Sequence, residues 1–141
     1  MAYEMVGPAV ALGLSCLGSA IGCGIAGMAS HGVMARVEEG HGKYIGMSAA
    51  PSSQSIYGLI LMLLMSQAIM DGRLTAEGGI GIGLFCGLAI MTSAIYQGKC
   101  AASGIQASAK QPAIFGKCFA AVGIVESFAL FAFVFALMLM G

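Results

Sequence analysis

The chain has no tryptophan and very little charge: among 141 residues there are six lysines and arginines and six aspartates and glutamates, for a formal net charge of zero. With no basic excess to neutralise phosphates, nucleic acid is excluded as a partner. A composition that is 59% hydrophobic and only 9% charged excludes an ordinary soluble domain. Without tryptophan, interfacial anchoring falls to Tyr3, Tyr44, Tyr57 and Tyr96. The five cysteines (Cys16, Cys23, Cys86, Cys100, Cys118) form an odd set without paired spacing. They read as small packing residues, not as disulfides or metal ligands. Met1-Ala2-Tyr3-Glu4 lacks the basic region of a signal peptide, so the first apolar stretch is expected to remain in the mature protein. The glycine-rich stretches lack a Gly-Lys-Ser/Thr sequence, and the chain is not expected to hydrolyse ATP itself.

Long apolar runs are what the chain does have: Val6–Ser30, Tyr44–Met70, Gly78–Ser103 and Ile114–Met140. Each exceeds the roughly 20 residues that span a bilayer as a helix. The expected fold is all-α and membrane-embedded, with four transmembrane helices in one domain, residues 1–141. Residues 6–70 form the first hairpin and residues 78–140 the second. The breaks between runs carry most of the charge. Arg36, Lys43, Lys110 and Lys117 flank the first and third breaks, with Lys99 nearby, whereas the second holds only Arg73 as a basic residue. The four runs predict a multi-pass cell-membrane protein, and the positive-inside bias sets its orientation. The loops near Arg36 and Lys110 face the cytoplasm and both termini face away from it.

The two halves resemble each other. Gly18-Ser19-Ala20-Ile21-Gly22-Cys23-Gly24 aligns with Thr92-Ser93-Ala94-Ile95-Tyr96-Gln97-Gly98, and Ser53-Gln54-Ser55 with Val125-Glu126-Ser127. Both halves start on the same side of the membrane, so the duplication is parallel, unlike the inverted repeats of many secondary transporters. The first and third runs are rich in glycine, and the second and fourth are bulky. Small residues let helices approach closely in lipid. Thin helices inside and bulky ones outside would suit a closed ring, although tight packing in a single bundle has the same signature.

One residue breaks the apolar pattern most sharply. Glu126 is the only acid in Ile114–Met140. A charge at such depth costs about 2.5 to well over 10 kcal/mol unless partnered, and it ordinarily marks an ion or proton pathway. The structural alternative is a protonated acid bonded to a neighbouring helix. Residues equidistant from a hairpin turn lie at equal depth. Gln97 and Glu126 are equidistant from Gln111–Pro112, where proline favours a turn. Cys23 and Gln54 are likewise equidistant from Glu38–Glu39, and Gln54 is the repeat counterpart of Glu126. Gln54, Gln97 and Glu126 are thus expected at one level, with Ser53 adjacent and Tyr57 within a turn. Pro51 lacks an N–H and tends to kink its helix, which offers a backbone carbonyl, with Ala50 the candidate. Carboxylate, amide, hydroxyl and carbonyl oxygens suit a small hard cation. They exceed what a proton requires, although a purely structural hydrogen-bond network remains an alternative.

Pro51-Ser52-Ser53-Gln54-Ser55-Ile56-Tyr57-Gly58, Tyr96-Gln97-Gly98-Lys99, Ala101-Ala102-Ser103-Gly104-Ile105 and Val125-Glu126-Ser127 together resemble the proteolipid, or c, subunits of V-type ATPases in their duplicated four-helix form. The likeness runs over essentially the whole chain. It implies a homo-oligomeric rotor ring in the lipid bilayer. Such a ring turns against a membrane stator subunit and meets a central-stalk subunit at its cytoplasmic loops, with ATP hydrolysed or made by a soluble head. The chain itself would be non-catalytic, with no cofactor, and would carry Na+ or, alternatively, H+. The resemblance places ion-binding roles on Glu126, Gln54, Gln97, Ser53 and the Ala50 backbone carbonyl. Tyr57 would hydrogen-bond Glu126. Serine stands where the family commonly has threonine, which keeps the oxygen. With Gln54 in the first hairpin's acid position, each copy of the chain has one carboxylate. Fewer ions then cross per ATP, which favours pumping against a large gradient. A small secondary cation transporter and a structural membrane proteolipid are the competing functions.

Overall fold

The computed structural model describes residues 3–141, and these residues are helical apart from short connections. The helices are α1 (Val6–Met34), α2 (His41–Ser48), α3 (Ser53–Met70), α4 (Ala76–Lys110) and α5 (Phe115–Leu139). Short 3-10 turns at Ala50–Ser52 and Pro112–Ile114 lead into α3 and α5. Among the described residues four segments are long and apolar enough to cross a membrane: Val6–Met34, His41–Met70, Ala76–Lys110 and Pro112–Leu139.

Two sequence expectations need correction, and one is borne out. Helices α1 and α4 overrun the apolar runs that end at Ser30 and Ser103, because helical hydrogen bonding continues past the last apolar residue, whereas α5 stays within Ile114–Met140. Lys110 therefore occupies the last turn of α4, where a cation complements the helix dipole, and Lys117 lies on α5. The break that they flank is correspondingly shorter than the apolar runs suggest. The second span breaks at Pro51, where the sequence predicts a kink. Pro51 has no N–H to donate, and the chain tightens into a 3-10 turn between α2 and α3. Cys23 is not level with Gln54; its Sγ lies 4.0 Å from the Ala49 carbonyl. The turn centre lies nearer α1 than Glu38–Glu39, since α1 ends at Met34 and α2 begins at His41. A 3-10 turn also rises about 2.0 Å per residue against about 1.5 Å in an α-helix. Both effects carry Gln54 deeper than residue counting suggests.

Helices α1 and α4 form the most extensive interface, and α5 and α3 pack against that pair. The two run parallel: Gly7 meets the backbone of Gly79, Gly18 that of Met91, and Gly22 that of Ala94. A Cβ added to Gly18 would come within 2.6 Å of the Met91 Cα. Gly98 rests on the Gly22 backbone, with no room for a side chain. Backbone-on-backbone packing of this kind is what small residues permit in lipid. By contrast, α3 and α5 present Ile56, Leu63, Phe131 and Phe135 to the surroundings. At the end of α3, Gly72 adopts φ 74°, and the following N–H groups of Arg73 and Leu74 return to the Ala68 carbonyl. Glycine meets no Cβ penalty there, so the helix ends and α4 can begin.

Two apolar clusters result. One gathers Leu61, Met65, Ile90 and Ala129; the other gathers Tyr44, Met47, Ile105 and Val122. Tyr57 packs on the first and Ala50 on the second, so the polar residues singled out above lie where the clusters meet. Because Gly98 touches the Gly22 backbone, Gly98→Ala should destabilise the protein by about 1–3 kcal/mol. Gly116→Ala, with nothing within 4 Å of the added Cβ, should be neutral or slightly stabilising. Thermal unfolding of the two purified variants in detergent checks the contrast. Equal midpoints would remove the close α1–α4 packing as a source of stability.

Candidate functional site

Four elements converge on the site. The 3-10 turn at Ala50–Ser52 places Ala50 just ahead of α3, whose first two residues are Ser53 and Gln54. The Ala50 carbonyl accepts the Ser53 N–H and lies 3.1 Å from Ser53 Oγ. One turn along α3 is Tyr57. Its ring lies 6.1 Å from that of Phe133 on α5, which holds the hydroxyl in place. Gln97 comes from α4 and Glu126 from α5.

These groups form a continuous chain of polar contacts. Ser53 Oγ donates to Gln54 Oε1 at 3.2 Å, and Gln54 Nε2 donates to Gln97 Oε1 at 2.7 Å. Gln97 Nε2 in turn donates to Glu126 Oε2 at 3.3 Å and to the Val122 carbonyl at 3.3 Å. Tyr57 Oη donates to Glu126 Oε1 at 2.6 Å. Gln54 and Gln97 are wholly buried, and Ala50, Ser53, Tyr57 and Glu126 are partly exposed. The structure thus brings Tyr57 and Gln97 directly to Glu126. Gln54 reaches the carboxylate only through Gln97, with Ser53 one contact further away and Ala50 two.

Chemically, the cluster offers oxygens from an amide on each of α3 and α4, a hydroxyl, a backbone carbonyl and a carboxylate. All are hard ligands with no sulfur or imidazole among them, the set that sodium-like cations prefer over soft metals. Glu126 is its sole acid. An O–H···O distance of 2.6 Å is typical of a hydroxyl donating to a charged carboxylate. Tyr57 therefore holds the carboxylate in one orientation and offsets part of the cost of its charge.

Sequence reasoning missed two contributors. Ser93 Oγ donates to the Val125 carbonyl at 2.8 Å, tying α4 to α5 beside the acid. The Val122 carbonyl holds the second contact of the Gln97 amide nitrogen. Ser93 stands four residues before Gln97 on one helical face, a visible signal. The Val122 carbonyl had none, because a backbone acceptor leaves no mark in the side-chain pattern.

Tyr57→Phe keeps the ring on Phe133 and removes the O–H donor to Glu126. The carboxylate then loses the hydroxyl that donates to it. A carbodiimide reacts only with the protonated form, so Glu126 should label faster at fixed pH, by about tenfold for a lost bond to a charged group. A labelling time course on membranes measures it. An unchanged rate would mean that the phenol does not stabilise the carboxylate.

The sequence profile of the C subunit of ATP synthase matches residues 6–65 and again residues 80–139. The A-type ATP synthase subunit K of Methanocaldococcus jannaschii is 36% identical over 140 residues, covering 98% of this chain and 63% of that protein. This chain thus spans less than two thirds of that relative's length. The V-type sodium ATPase subunit K of Enterococcus hirae is 29% identical over 141 residues, covering 99% of this chain and 90% of that protein. With two tandem matches that together take in most of its length, the chain belongs to the family of ATP synthase C subunits and carries that family's helical unit twice.

Proposed function

We propose that this chain is a non-catalytic subunit of a membrane rotor ring and that it carries Na+ across the membrane on Glu126. The observation that carries this reading is the unbroken polar chain from the Ala50 carbonyl through Ser53, Gln54 and Gln97 to the Glu126 carboxylate, with Tyr57 on its far oxygen. A proton carrier needs the carboxyl and one acceptor. The additional amide and hydroxyl oxygens have a use if the cargo is a dehydrated cation. Family membership supports the ring, and the name of the Enterococcus hirae relative, a sodium ATPase, supports the ion.

In this reading the hairpins of residues 6–70 and 78–140 are the working units, and Gln54 takes the place in the first that Glu126 takes in the second. Identical copies close into the ring. A stator subunit exchanges the ion at each passing Glu126, and a central-stalk subunit grips the loop end near Arg36 and Lys110. The bound cation neutralises the carboxylate, so the loaded site can face lipid without the penalty of a bare charge. One carboxylate per copy keeps the number of ions per turn low and favours ATP-driven pumping.

Sodium and protons should compete for Glu126. Carbodiimide labelling of the acid should slow on addition of millimolar sodium chloride, and more sodium should be needed as the pH falls. Lithium should also protect, and the larger potassium ion much less. Gln54→Ala and Gln97→Ala should raise the sodium required, and Glu126→Gln should abolish ATP-coupled transport while leaving the ring assembled. Sodium that never protects, at any pH where Glu126 labels, would make this a proton site with the glutamines as hydrogen-bond partners only.

The orientation follows from the basic residues Arg36, Lys43, Lys110 and Lys117 gathered towards one end, with Arg73 alone at the other. A cysteine placed at Ala76, the first residue of α4 beside the connection opposite that end, should react with an impermeant maleimide added outside intact cells. Reaction only after permeabilisation would reverse the topology.

A further inference from the structure

Ser19, on α1, takes part in none of the contacts described so far. It is 5% exposed, and among the described residues its Oγ is the one buried side-chain oxygen or nitrogen without a hydrogen-bond partner in the protein. Native structures rarely leave such a group unpaired, and an exception calls for an explanation. Neighbouring serines show how easily the need is met. Ser15 Oγ donates to the Ala11 carbonyl at 2.8 Å and Ser30 Oγ to the Tyr44 carbonyl at 2.9 Å. Ser93, the repeat counterpart of Ser19, donates to the Val125 carbonyl at 2.8 Å.

The register between α1 and the second span shows what Ser19 faces. Ser15, Ser19 and Gly22 lie on one stripe of α1 at helical spacing. Ser15 sits against Gly58, Gly22 against Pro51, and Ser30 beside Tyr44. Interpolated along the same antiparallel register, Ser19 lies opposite Gln54, one of the two wholly buried glutamines of the site.

Gln54 has a problem that Ser19 can solve. Its amide N–H now rests on Gln97 Oε1 at 2.7 Å. A cation that draws on Gln97 Oε1 and Gln54 Oε1 together brings positive charge beside that N–H, and the contact becomes repulsive. The amide must turn, with its oxygen to the cation and its nitrogen away. A buried N–H turned away needs an acceptor, and a serine hydroxyl has two lone pairs to offer. On the α1 side of Gln54 the Ser19 Oγ is unengaged. We propose that Ser19 accepts the Gln54 amide N–H when the site holds its cation, which makes Ser19 a positioning residue for cation affinity. This inference rests on the reading of the site as a cation site.

The test uses the full chain in membranes, with sodium chloride protecting Glu126 from a carbodiimide, in the wild type, Ser19→Ala, Gln54→Ala and the double variant. Ser19→Ala should raise the sodium chloride needed for half-protection about three- to tenfold, the worth of one neutral hydrogen bond. In the Gln54→Ala background the same change should add nothing, because the group that Ser19 receives is gone. Thermal unfolding of purified Ser19→Ala without added sodium should be unchanged or slightly raised, since an unpaired buried hydroxyl has been removed. Wild-type protection in Ser19→Ala would overturn the proposal, as would an effect that persists in full beside Gln54→Ala or a lowered unfolding midpoint without sodium. Those results leave the cation site standing. A wild type that sodium chloride never protects would instead sink the sodium reading, and this inference with it.

Discussion

A carboxylate among apolar helices has to be met by donors from other helices, and that requirement organises this protein. Glu126 is the only acid within Ile114–Met140. Tyr57 reaches it from α3 at 2.6 Å and Gln97 from α4 at 3.3 Å. Three helices are therefore tied in depth and rotation by one side chain. A slip of α3 by a single residue turns Tyr57 about 100° away, given 3.6 residues per turn. The buried Gln54 and Gln97 extend the constraint to the start of α3, so the polar chain pins the register that the apolar surfaces alone would leave loose.

The close packing of α1 on α4 gives that chain its setting. Gly22 lies against both Pro51 and Ala94, and Gly98 lies on Gly22. The 3-10 turn, α1 and α4 thus converge about one turn from Ser53 and next to Gln97. A bulkier residue at Gly22 would push the turn away from α4 and draw Gln54 off Gln97. Glycine here serves proximity and not backbone freedom. The bulky faces of α3 and α5 remain on the outside, where lipid or neighbouring copies can cover them.

The duplication is symmetric in its helices and asymmetric in its chemistry. Glutamine stands in the first half where the second has Glu126, and Pro51 breaks the first hairpin where the second has only Pro112 at its turn. The break shifts the backbone at the start of α3. That shift presents the Ala50 carbonyl to Ser53 Oγ at 3.1 Å. The repeat counterparts Ser19 and Ser93 also differ. Ser93 bonds a carbonyl of the unbroken helix α5, and Ser19 Oγ has no partner in the protein.

Hydropathy and residue spacing determined the all-α class, the four spans, the parallel repeat and the isolation of Glu126. Each depends only on the order of apolar and polar residues along one helix. Spacing also placed Gln97 beside Glu126, because the turn at Gln111–Pro112 is short and nearly symmetric. The same reasoning misjudged Cys23, because the first connection is longer, off-centre and followed by a 3-10 turn with a greater rise. Only the tertiary structure decided which atom meets which. It gave the Gln97 amide to the Val122 carbonyl as well as to Glu126, joined Ser93 to Val125, and left Ser19 Oγ unpaired. Those outcomes depend on helix rotation and on backbone carbonyls, and neither is written in the side-chain pattern of a single segment.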